Sequence, residues 1–126
     1  MSTKSKDIIN FNIPRWEELP NIDLYLDQVV NYLDDCLCDY IKDDNNDKKE
    51  NQVVTKTMIN NYVKQGVLEP PVKKKYSRKH IAYLFCIIIL KQVYSINDID
   101  NLIKLALETT TLDKAYNSFC QELNML

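Results

Sequence analysis

At 126 residues and 14.8 kDa the chain has material for one core and not for two. A single Gly and four Pro leave too few sharp turns for a many-stranded sheet, so the apolar content of 45% points to helices. A net charge of −2 and a pI near 5.4 exclude a generic polycation that coats nucleic acid.

Residues 1–13 are polar, and Pro14 and Pro20 bracket PRWEELP, which no regular helix crosses and in which Trp16 reads as a packing anchor. Residues 1–20 are therefore expected to form an N-terminal arm. Asn21 is placed to cap a helix of about five turns, ending near Ile41, whose apolar stripe runs Ile22, Leu26, Val29, Leu33, Cys36 or Leu37, and Tyr40. Residues 43–51 (DDNNDKKEN) contain no apolar side chain and read as a loop. Thr55 then caps a helix of about three turns over 55–65, with Met58, Ile59, Tyr62 and Val63 on its core face. The chain's one glycine, Gly66, falls where a left-handed helix stop belongs and is expected to sit where no side chain is tolerated.

Beyond it, the arm Val67 and Leu68, a turn at Pro70 and Pro71, and a return from Lys73 to Tyr76 outline a minimal β-wing over 67–76. Ser77 caps a long helix to about Gln92, and because nearly every residue of its run 81–90 is apolar, it must be covered on more than one side. That run is half of the roughly 20 residues that a membrane span needs. Ser95 with Asp98 resembles a capping box and opens a helix striped by Ile96, Ile99, Leu102, Ile103 and Leu105 or Ala106. A last helix within 111–126 repeats Leu112, Tyr116, Phe119, Leu123 and Leu126, a stripe suited to packing inside the chain or against a second copy in a homodimer. Residues 1–126 read as a single domain whose core, 21–110, carries the short helix and the wing.

Charge is segregated along this pattern. Residues 53–80 hold seven Lys or Arg against Glu69 alone, a net +6 that leaves −8 on the rest. Opposite the apolar face of helix 55–65 stand Lys56, Thr57, Asn60, Asn61 and Lys64. Asn pairs bidentately with adenine, Thr offers a hydroxyl and a methyl, and Lys reaches phosphate or guanine. Lys73, Lys74 and Lys75 on the wing, with Arg78 and Lys79 behind it, fit a phosphate clamp. Tyr76 either donates to a phosphate or packs on the core, and His80 reads as a structural histidine. A lysine run alone is usually a solvated turn, but here it adjoins a polar helix face in an otherwise acidic chain.

Catalysis has no support in the sequence. There is no glycine-rich phosphate loop, no nucleophile elbow and only one His, and Asp34 and Asp35 are expected on a solvent-facing flank. Cys36, Cys38, Cys86 and Cys120 lie in apolar helical patterns, and the Cys36-x-Cys38 pair completes no metal-ligand spacing, so no cofactor is expected. With no apolar h-region in residues 1–10, these cysteines read as free thiols of a cytoplasmic protein.

The segments VTKTMINNYVKQGVLEPP, KKKYSRKHIAYL and LKQVYSINDIDNLI, over 53–103, resemble the winged helix-turn-helix of MerR-type regulators, whose Tyr-containing recognition helix precedes a Gly-Leu-Leu arm. RWEELPNIDLYLDQVV together with TKTMINNYVKQG resembles, over nearly the whole chain, a bacterial family catalogued as domain of unknown function 1836 and found mostly in Firmicutes. The resemblance implies an all-α, MerR-like winged helix-turn-helix with additional N- and C-terminal helices and a minimal β-wing. It implies a transcriptional regulator that reads double-stranded DNA through the major groove with helix 55–65, with phosphate contacts from Tyr62 and the lysines. Three departures bear on that reading. Asn60 stands where MerR-type proteins usually have Arg, lysines replace the usual arginine of the wing's return strand, and about 15 residues follow Thr111 in place of a long dimerisation helix. The alternative expectation is a protein-interaction module that keeps the fold without binding DNA.

Overall fold

The computed structural model describes residues 12–40 and 52–124; the loop read over 43–51, Ile41 at the expected end of the first helix, and Leu126 of the last stripe lie outside the described residues. The order is a 3-10 turn at Trp16–Glu18, β1 (Leu24–Tyr25), α1 (Leu26–Leu37), α2 (Lys56–Lys64), β2 (Lys75–Tyr76), α3 (Arg78–Leu90), α4 (Ile96–Thr109) and α5 (Leu112–Asn124). The architecture is mainly α, with one antiparallel two-stranded sheet among the described residues. No helix among them is long and apolar enough to cross a membrane.

Helix α3 is the hub. Eight of its 13 residues are buried, from His80 through Ile89, and β2, α1, α4 and α5 all pack on it. Each fully buried Leu, Ile or Phe there contributes roughly 1.5–3 kcal/mol of transfer free energy. Phe85 sits at the crossing, edge-on to Tyr32 at 6.1 Å and tilted against Tyr116 at 6.3 Å. Buried residues from Ile13 to Leu123 form one cluster around it.

The N-terminal arm is tied to the last helix. The Pro14 carbonyl accepts from Tyr116 Oη at 2.6 Å, and Asn117 Oδ1 accepts the Trp16 N–H at 2.8 Å. This uses the α5 stripe inside the chain: Tyr116 and Leu123 are buried, while Leu112 and Phe119 keep part of their surface.

Helix α1 starts at Leu26 and not at Ile22, which is 66% exposed. The cause is strand pairing. Leu24 and Tyr25 are extended opposite Tyr76 and Lys75, and the Tyr25 N–H is accepted by Gln28 Oε1 at 2.8 Å, so Asn21 caps nothing. The helix closes at Leu37, short of the expected five turns. Asp34, expected in solvent, instead accepts the N–H groups of Val53 and Val54 at 2.6 and 3.1 Å and fixes the entry to α2.

Helix α2 is capped as its sequence suggests, with Thr55 Oγ1 accepting the Met58 N–H at 3.2 Å. It stops at Gly66, where φ is +80°. The Gly66 N–H donates to the Val63 carbonyl at 3.0 Å and the Val67 N–H to the Tyr62 carbonyl at 3.1 Å, the paired bonds of a left-handed stop. A Cβ on Gly66 would meet nothing within 4 Å. Backbone angle, and not crowding, is what demands glycine there. Gly66→Ala is expected to lower the free energy of unfolding in urea by about 1 kcal/mol, with Gly66→Asn losing less because Asn tolerates the left-handed region; equal losses would contradict a purely angular requirement.

Candidate nucleic-acid interface

The wing differs from its expected form. Val67 and Leu68 are buried, at 5% and 2% exposure, and make no strand with the return segment. The turn is instead Val72 to Lys75, closed by reciprocal N–H to carbonyl bonds of 3.0 Å in both directions, and β2 pairs with β1. Its two central residues, Lys73 and Lys74, have φ of 52° and 69°. A two-residue turn with both centres left-handed favours Asn-Gly, because a Cβ crowds the carbonyl there by roughly 1 kcal/mol or more per residue. The chain has placed two exposed lysines at that tip.

His80 clamps the base of the wing. Its Nδ1 accepts the Ser77 N–H at 2.9 Å, which leaves the ring proton on Nε2, 3.1 Å from the Pro70 carbonyl that accepts it. One imidazole therefore fixes both the entry and the exit of the turn. The Tyr76 ring lies edge-on to it at 5.2 Å. Tyr76 is 3% exposed and Tyr62 5%, and burial pushes both phenols up from their usual range. Of the two roles open to Tyr76 the structure shows core packing, and Tyr62, for which the resemblance implies a phosphate contact, is buried with the apolar face of α2.

Arg78 also leaves the expected clamp. Its guanidinium lies 5.5 Å from the Trp16 ring centroid, with Nε buried and without a hydrogen-bond partner. What remains exposed on α2 is Lys56, Thr57, Asn60, Asn61 and Lys64, and near the wing Lys73, Lys74 and Lys79. Lys75 is half-buried, its Nζ 5.1 Å above the ring of Tyr25.

Asp27 joins the two parts. Its Oδ1 lies 2.6 Å from Lys56 Nζ, and Asp27 also lines a shallow depression with Tyr25, Pro71 and Lys74. The start of α2 and the wing tip thus flank one carboxylate on the same side of the molecule. Both members of the ion pair are largely exposed, so it stabilises by at most about 1 kcal/mol. Its stronger effect is on potential, since it offsets one cation within the basic face. The Asp27–Lys56 pair has no local sequence signal, because it joins two elements, and of the His80 clamp only the Ser77 half is local, with Ser77 capping the helix that carries His80.

A family model described as Domain of unknown function (DUF1836) matches residues 14–119. The chain belongs to the DUF1836 family. The matched span runs from the proline that α5 holds to Phe119, and so takes in the wing and every exposed side chain of the basic face. No curated protein and no solved structure matches this DUF1836 chain.

Exchanging Lys73–Lys74 for Asn-Gly should raise the free energy of unfolding by roughly 1 kcal/mol, because the new pair suits the left-handed turn. Urea titration checks it, and a loss of stability would mean that the lysines are not strained there.

Proposed function

We propose that this chain is a cytoplasmic DNA-binding transcriptional regulator of bacterial, MerR-like winged helix-turn-helix type, reading duplex DNA with α2 and holding the backbone with the wing. The observation that carries this reading is the pair of lysines at left-handed positions of the wing tip. Strain kept where a neutral pair would be more stable is a feature of functional segments. The order β1, α1, α2, wing, α3, with β1 paired to the return strand, supports a winged arrangement. Thr57, Asn60 and Asn61 supply the central reading positions, and Lys56, Lys64, Lys73 and Lys74 the phosphate contacts.

Asn60 gives α2 no arginine, so the backbone term rests on the lysines. Replacing Lys73 and Lys74 by Ala should weaken binding to all duplexes and reduce the salt slope by about 0.9 per lost phosphate contact. The Asn-Gly exchange should weaken binding while raising stability, a divergence that a purely structural turn does not produce. Asp27→Asn should strengthen binding several-fold, because it frees Lys56 and removes an anion from the face.

Asn60→Ala and Asn61→Ala should instead change sequence preference, by about 1–3 kcal/mol per base contact. Tyr62→Phe should leave binding unchanged. A second reading, an interaction module, draws on Val93, Tyr94 and Leu105, which stand 76%, 46% and 62% exposed. Selection from random duplexes at about 100 mM salt, where backbone attraction is partly screened, separates the two. Retention of no sequence would sink the DNA reading and favour the module.

A further inference from the structure

Helices α3, α4 and α5 do not close completely on one another. Between them lies a cleft of about 170 Å³. Tyr83 and Cys86 contribute from α3, Leu102 and Ala106 from α4, and Ala115 and Phe119 from α5. The two alanines are the shortest side chains that line it, and their size leaves the space open. Leu102 and Ala106 are exposed and mark its mouth, while Tyr116 is buried and forms its floor.

The lining decides the chemistry. None of its eleven residues is charged. The Tyr116 hydroxyl is already engaged with the Pro14 carbonyl at 2.6 Å, and burial pushes the Cys86 thiol up, so it stays neutral. A water needs two to four polar partners and finds few here, whereas apolar cavities of about 150 Å³ admit benzene. A charged occupant would lose its hydration without compensation.

The geometry points to a binding site for an uncharged apolar ligand of about one aromatic ring in the cleft between α3, α4 and α5. The site is separate from the basic face and does not depend on DNA binding. It also has a neighbour in common with the wing: Tyr83 lines both this cleft and the groove formed by Leu68, Val72, Lys79 and His80 behind the turn. On the opposite wall, Ile99 is the one residue of α4 that is buried, so that wall is lightly held.

Toluene, benzoate and benzylamine titrated into the full chain, with thermal unfolding followed by circular dichroism, test the site. Toluene at about ten times its Kd should raise Tm by about 5 °C, and the two charged rings should not. Ala115→Leu, which fills the cleft, should melt no lower than the parent and lose the toluene response. Ala106→Leu at the mouth answers the same question should the first variant fail to fold. No shift with the parent chain, or a shift that survives both fillings, overturns the site. Light scattering that finds a dimer which either filling dissociates would assign the cleft to a second copy and overturn it as well.

Discussion

Helix α3 is apolar around its whole circumference, and such a helix cannot rest on a surface. It has to be wrapped. That requirement brings α1 and β2 to one side and α4 and α5 to another, and it leaves each surrounding helix with a single buried stripe. The polar face of α2 is a result of this arrangement. Ile59 and Tyr62 satisfy the core, so Thr57, Asn60 and Asn61 are free to be chosen for something else.

The same helix organises both ends of the molecule. At its first turn, His80 holds Pro70 and Ser77 and so sets the wing. One turn on, Tyr83 lies between the groove behind the wing and the cleft under α4 and lines both. Between the wing and α2, Asp27 moderates the positive potential that the lysines create. Charge and backbone angle are in tension at the turn tip, where two exposed lysines occupy left-handed positions that favour Asn-Gly. Such a conflict persists only when the surrounding pairing over-determines the turn, and the β1–β2 ladder with the His80 clamp supplies that restraint.

Features of one element were legible in the sequence. Thr55, Ser95 and Gly66 mark helix ends through bonds to residues a few positions away, and the run 81–90 announces a buried helix through its lack of a polar face. Features that join distant elements were not. A two-residue strand has no measurable period, so β1 read as the start of α1 until its pairing with Lys75–Tyr76 placed it. The wing turn was obscured because Lys-Lys is no turn signal, and the Pro70 and Pro71 pair drew attention to the wrong corner. Tyr62 belongs to the apolar stripe of α2, and that periodic reading was sounder than the role the family resemblance implied for it. Arg78 counted as a surface cation until the Trp16 ring, from the far N-terminal side, proved to lie against it.

The bond between Tyr116 and Pro14 spans 102 positions, and Asn117 reinforces it through Trp16. Trp16 in turn lies under Arg78, the first residue of α3. The contact that braces the first turn of α3 therefore depends on α5. Without α5 the arm would lose Tyr116 Oη as donor and Asn117 Oδ1 as acceptor, so the seat of Trp16 beneath Arg78 is set by α5 and not by the hub alone.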